Sequence, residues 1–319
     1  MWKNRLTEIL KTEYPLLQGG MAWVANSDLA AGVSNGGGVG IIAAGNMPPD
    51  LLEEEILKAR EMTDRPFGLN IMLLSETSDD AIQLAKKHKV PIITTGAGSP
   101  GKVIKELKPE GTIIIPVVAS VALARRVARQ GADAVIAEGS EAGGHIGEIS
   151  TMVLVPQVAA AIDIPVIAAG GIANGRGVLA ALSLGAEGVQ IGTRFVCCEE
   201  STVHHKYKEK ILSAKDRSTV VTGQYTGHPV RCIGNRLTAE LEKLEKKNVP
   251  IEDFEKAGAG SLRNAVVSGD VDWGSVMAGQ SAALVNRIQP AEEIIREMFC
   301  EAGETFWILN KKYHLDDRK

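Results

Sequence analysis

PVIAAGG at 165–171 and GVQIGT at 188–193 decide the fold. Each is a short apolar run, rich in Val and Ile, that closes on glycine or threonine without alternating apolar and polar residues. A strand covered on both faces reads this way, as in a parallel sheet joined by helical crossovers. Working outward, six more runs have the same character: Pro15–Met21, Val39–Gly45, Phe67–Leu73, Val90–Gly96, Thr112–Val118 and Ala132–Glu138. Between them lie stretches with helical spacing, such as Pro49–Met62 and Ser120–Gln130, the latter stopped by Gly131. Eight such alternations predict an α/β fold, a (β/α)8 TIM barrel, with residues 1–319 as one domain.

An open doubly wound sheet is the alternative, but it would place a glycine-rich turn after an early strand and divide the chain into two halves. The segment AGVSNGGGVG (31–40) has the glycines yet precedes a strand, so it reads as the end of the first helix and the start of the second strand. After Thr193 the pattern changes. Residues from about 199 to 260 are rich in charge and show no clear strand, which predicts an inserted cap near the C-terminus, over the barrel mouth. GSVMAGQSAALV (274–285) then returns to the barrel, and Pro290–Phe306 reads as a closing helix.

Composition narrows the functional classes. A net charge of −4 with cations interspersed among anions gives no basic face for nucleic acid. The N-terminal MWKNRLTEIL lacks the apolar core of a secretory signal, and no apolar run is long enough to span a membrane, so a cytoplasmic protein is expected. Cys197, Cys198, Cys232 and Cys300 match no metal-ligand spacing and read as free thiols; no metal site is expected.

Ligands of such barrels meet the C-terminal strand ends. Here those ends are poor in side chains: Gly19, Gly20 and Met21, then Gly45 and Asn46, Thr95 and Gly96, and Gly170 with Gly171. Glycine lets a flat ligand approach the backbone closely. The rims AGGIA (169–173) and QIGTRF (190–195) follow the seventh and eighth strands, where barrels bind phosphate through backbone N–H groups and a helix N-terminus, and Thr193 adds a hydroxyl. Asn46, Asn70 and Gln190 are amides in or at the ends of apolar strands and need partners from a ligand, water or backbone. The sixth strand runs into EGSEAGGHIG (138–147), a flexible loop whose His145 is the natural general acid or base. His88 reads as solvated within its charged helix, and His204, His205, His228 and His314 as surface groups of the cap or tail.

The runs GGMAWVA (19–25), FGLNIMLLS (67–75), TTGAG (94–98), EGSEAGGHIG, IPVIAAGGIA (164–173), QIGTRF and VMAGQS (276–281) together resemble the FMN-dependent enoyl-acyl carrier protein reductases, enoyl reductase II, with several motifs shared by the sister nitronate monooxygenases. The resemblance runs from Leu6 to about Leu284. It implies FMN across the barrel mouth, with Gly20, Met21, Asn46, Asn70, Gly170, Gly171, Gln190, Gly192, Thr193 and Gln280 as cofactor contacts, and Glu138 and Gly144 at the isoalloxazine or ribityl chain. It also implies NADH or NADPH as co-substrate, an enoyl thioester on acyl carrier protein as partner, a homodimer, and room for a monovalent cation. His145 is then the catalytic residue, assisting protonation or positioning substrate. A nitronate monooxygenase would use the same flavin and imidazole but deliver its electrons to oxygen. An inosine monophosphate dehydrogenase needs a cysteine in the loop after strand six, and this loop has none. A non-catalytic flavin-binding protein is the remaining alternative.

Overall fold

The structure is a computed structural model, and it describes residues 2–314. All eight expected strands form, each within its predicted window: β1 (Leu16–Gln18), β2 (Gly40–Ala43), β3 (Phe67–Met72), β4 (Ile92–Gly96), β5 (Ile113–Val118), β6 (Val135–Glu138), β8 (Val166–Ala169) and β9 (Gly188–Ile191). A two-residue strand, β7 (Gly144–His145), interrupts the numbering and lies outside the barrel. The eight pair in parallel in the order β1-β9-β8-β6-β5-β4-β3-β2. Leu17 bridges Val39 across the remaining gap, where the Gln18 and Val39 N–H groups donate to Val39 and Leu16 carbonyls, so the sheet closes as a (β/α)8 barrel.

Helix boundaries follow their capping residues. Ser120 accepts from the Leu123 N–H at the start of Val121–Gln130, and Gly131, at φ 101°, ends it. The expected helix Pro49–Met62 forms with those bounds. Glycines 36–38 do end a helix, Ser27–Asn35, and Gly40 opens β2.

The barrel interior is filled from below by Leu6 and Leu10 of helix Arg5–Leu10, and then by Leu17, Ile41, Ile92, Ile115, Ile136 and Ile167, all essentially inaccessible. Each such side chain is worth ~1.5–3 kcal/mol of burial. The fit is tight: a Cβ on Gly188 would lie 2.4 Å from Leu6 Cδ2.

Two expectations are corrected. The segment from about 199 to 260 is not without strands: β10 (Thr219–Thr222) and β11 (Val230–Ile233) form an antiparallel hairpin, and β11 also pairs with β7. Its short, half-buried strands gain their order from pairing with the loop after β6, a contact no local pattern announces. The C-terminal helix, Ala291–Tyr313, extends beyond the expected Phe306. Among the described residues, no helix is long and apolar enough to cross a membrane.

Candidate functional site

The interior changes character at one level. Period-two alternation carries the inward face from Ile92 to Thr94, from Ile136 to Glu138 and from Ile167 to Ala169. Register places Asn70 beside Thr94, and Ala169 between Glu138 and Gln190. Above the isoleucines therefore lies a layer containing Asn70, Thr94, Glu138 and Gln190. Asn70 Nδ2 donates to Thr94 Oγ1 at 2.9 Å. Among the described residues, the side chains of Glu138 and Gln190 make no hydrogen bond and no ion pair. Burial with no compensating donor pushes the Glu138 carboxyl up to about 7.

The glycine rims meet above this layer. A Cβ on Gly19 would lie 3.6 Å from Gly192 Cα, and one on Gly192 would lie 3.4 Å from Met21 Sδ. Gly20 is pressed against Asn70, whose Cβ would stand 2.2 Å from any side chain there. Gly170 and Gly171 adopt φ values of 95° and 78°, which other residues rarely adopt. The N–H groups of Gly170, Gly171, Gly192 and Thr193 donate no hydrogen bond among the described residues. Thr193 Oγ1 instead accepts from the Gly279 N–H at 2.9 Å, tying the returning 274–285 segment to this rim. Gln280 lies next along, exposed, with its N–H on the Glu141 carbonyl.

The helix after β8, Gly175–Ser183, does not offer the free N-terminus the sequence led us to expect. Asn174 Oδ1 accepts from the Gly177 N–H, and the Glu301 carboxylate accepts from the Gly175 N–H at 2.6 Å. A protein carboxylate stands where an anion would sit, so anion binding is left to the loop N–H groups below.

The 138–147 loop is not flexible in the way its glycines imply. Glu141 accepts from the N–H and hydroxyl of Thr151, capping helix Thr151–Ala159, whose own N-cap Ser150 makes no side-chain cap. Arg231 of β11, nearly inaccessible, donates to the Ser140 carbonyl through Nε and Nη2 at 3.3 and 3.1 Å. The Ile146 N–H donates to the Pro229 carbonyl, and Gly144 (φ 73°) and His145 pair with Arg231 and Val230. His145 is thus fixed by its backbone, exposed, and its ring makes no hydrogen bond among the described residues. Its pKa is lowered, first by desolvation and then by His228 across the strand pair.

Asn46 stands apart from the polar layer. It is exposed, with φ 58°, and its Oδ1 accepts from Ser75 Oγ at 3.0 Å, so its amide is already partnered. His88 is not solvated: its Nε2 lies 2.5 Å from Glu53 Oε1 on the outer helices. His204 stacks on His205, and His314 ends the last helix. Cys197, Cys198 and Cys232 are buried with thiols pushed up to about 11, 12 and 11 by desolvation, which leaves them inert; Cys300 is exposed. Among the described residues, no cluster of three or more His, Cys, Asp or Glu could hold a metal ion.

Sequence reading missed Thr94, Glu141, Thr151 and Arg231. Thr94 carried a period-two signal from Ile92. Glu141 caps the next helix from ten residues before Thr151, and Arg231 reaches the loop from a distant segment; neither contact had a local signal.

The residue pattern of the nitronate monooxygenase family matches residues 3–87 and 74–301. A probable nitronate monooxygenase of Staphylococcus aureus is 35% identical over 95% of this chain and 99% of its own. A (3aS,4S,5R,7aS)-5-hydroxy-7a-methyl-1-oxo-octahydro-1H-indene-4-carboxyl-CoA dehydrogenase of Rhodococcus jostii is 40% identical over 75% of this chain and 68% of its own. Among solved structures, FabK from Thermotoga maritima superposes with a TM-score of 0.95 at 52% identity, covering 97% of this chain and 99% of that one. A nitroalkane oxidase from Streptomyces ansochromogenes gives 0.85 at 29%, covering 96% and 100%.

Proposed function

The chain belongs to the nitronate monooxygenase family of oxidoreductases, and within it we propose an FMN-dependent enoyl-acyl carrier protein reductase that uses NADH or NADPH to reduce trans-2-enoyl thioesters in the last step of fatty-acid elongation. The observation that carries this reading is the near-complete, 52% identical match to FabK, far above the match to the nitroalkane oxidase. The Rhodococcus relative, named for an acyl-CoA, points to the same thioester class.

The site fits FMN on its own geometry. Among the described residues, Gly170, Gly171, Gly192 and Thr193 present unused N–H donors suited to a phosphate, and Gly192 adds no side chain to the rim that a flat ring would cross, while Gly20 lets Asn70 pack close beneath it. Among the described residues, Gln190 and Glu138 are unpartnered polar groups in the layer beneath, and Asn70 keeps its carbonyl oxygen for a donor. We also assign Met21, Asn46, Gly144 and Gln280 to the cofactor, although the Asn46 oxygen already accepts from Ser75. Held by these residues, FMN would supply hydride transfer between a nicotinamide and the β-carbon of an enoyl thioester.

His145, held by β7 at the accessible side, delivers the proton that the α-carbon requires. Its lowered pKa leaves it mainly neutral at pH 7, so turnover should rise as pH falls toward that pKa and level off below it. His145→Ala should lose at least ~100-fold in turnover with FMN still bound; unchanged turnover removes His145 from the reaction.

We read residues 1–319 as one FMN-binding barrel domain, with about 199–260 as its cap, in a cytoplasmic homodimer. The exposed Phe306, Trp307, Ile308 and Tyr313 on the C-terminal helix support a second copy docking there. The deciding experiment is anaerobic. Flavin bleached by NAD(P)H and reoxidised by a crotonyl thioester supports the reductase. Oxygen uptake with a nitronate, needing no nicotinamide, supports the monooxygenase that the Staphylococcus relative represents.

A further inference from the structure

We propose that Glu138 meets the cofactor as a neutral carboxylic acid, an O–H donor to the ring, so that the reduced anionic ring never lies beside a second buried negative charge. The inference rests on the reading that a flavin occupies the barrel mouth. Glu138 ends β6 with its side chain in the polar layer, directly above Ile136 and in register with Ala169. An ionised carboxylate in that position needs N–H donors or a cation, and among the described residues Glu138 accepts no hydrogen bond and meets no cation; the unpartnered donor of the same layer is the Gln190 amide, two strands away. β5 contributes Val117 and Val118 alongside, β8 contributes Ala168 and Ala169, and Gln190 is a neutral amide.

The charged groups of the adjoining segments are engaged elsewhere. Glu141 is held by Thr151, Arg231 by the Ser140 carbonyl and Thr219, and His145 stands at the accessible side of the loop. Consistent with this, desolvation is the sole cause of the upward shift at Glu138, and no neighbouring charge contributes. A protein that needed a carboxylate here would have placed a cation against it. This one places aliphatic side chains and a hydrophobic floor, which favour the protonated form.

Sealing the carboxyl under a ring removes its remaining solvent contact, so binding should carry Glu138 in its protonated form and weaken as pH rises. The test is FMN affinity for the apoprotein from pH 6 to 9, followed by flavin fluorescence, for wild type and Glu138→Gln. The expected ratio of wild-type to variant Kd is flat at the acid end and rises about tenfold per pH unit above pH 7, nearing a hundredfold by pH 9. The amide variant cancels the titration of FMN itself. A ratio independent of pH overturns the proposal while leaving the flavin reading intact. Failure of wild type to bind FMN at any pH overturns the flavin reading and the proposal with it. Where FMN binds, the Glu138 carboxyl resonance in ¹³C NMR of the apoprotein is the second readout. A protonated shift at pH 6 that moves near pH 7 supports it, and an ionised shift throughout overturns it.

Discussion

Two glycine-rich segments, 36–40 before β2 and 170–171 after β8, look alike in sequence and differ in what their backbones do. In the first, every N–H is taken up by protein: Gly36 donates to Gly32, Gly37 to Ser34, Gly38 to Val33, Val39 to Leu16, and Gly40 to the Ser34 hydroxyl. Glycine is required there because other protein atoms already fill the space, most severely at Gly40, where a Cβ would stand 1.8 Å from the Ala30 carbonyl oxygen. In the second, Gly170 and Gly171 hold left-handed φ values, and their N–H groups donate to nothing among the described residues. The lesson is that glycine content alone does not separate packing from binding; the fate of the N–H groups does.

The sharpest way to break this comparison is Gly40→Ala. Its collision is with backbone, which cannot swing aside, so the variant should lose about 3 kcal/mol or more in a urea melt. Near-wild-type stability would mean that the first segment is not packing-limited. Gly171→Ala should behave differently, costing ~1–2 kcal/mol for its φ while weakening FMN binding at least tenfold, read by fluorescence on the folded protein. Unchanged affinity would remove the 170–171 rim from the phosphate site. Thr193→Val leaves the Gly279 N–H without its acceptor and should cost ~1 kcal/mol, with faster hydrogen exchange at Gly279. The smallest effect is expected at His228→Ala: because His228 lowers the pKa of His145, its removal should move the His145 titration to higher pH in an NMR titration, and no movement would uncouple hairpin from loop.

The barrel was legible because its signal is local. Eight short apolar runs separated by stretches of helical spacing fix strands whatever else the chain does, and Gly131 stops its helix by its own geometry. The rims were legible for the same reason: glycine at a strand end is visible without knowing its neighbours. Within the site the outcome was mixed. Asn46, Asn70 and Gln190 were marked as amides in need of partners; Asn70 found an acceptor in Thr94, Asn46 a donor in Ser75, and Gln190 found none among the described residues. The 138–147 loop was read as flexible because its glycines are visible in sequence, while of its clamps Arg231 comes from a distant segment and Thr151 acts through a cap that no glycine pattern reveals.

By itself, then, the sequence determined the barrel, the glycine rims and the chemical type of the groups at the mouth, since period, breaker residues and side-chain chemistry are properties of short stretches. Only tertiary structure decided which of those groups are free. It bonded Asn46 and Asn70, placed Glu301 across the helix end that an anion would have used, stitched His145 to a hairpin from elsewhere in the chain, and left Glu138 without a cation. Hydrogen bonding and desolvation depend on atoms brought together across the chain, and no stretch of sequence contains them all.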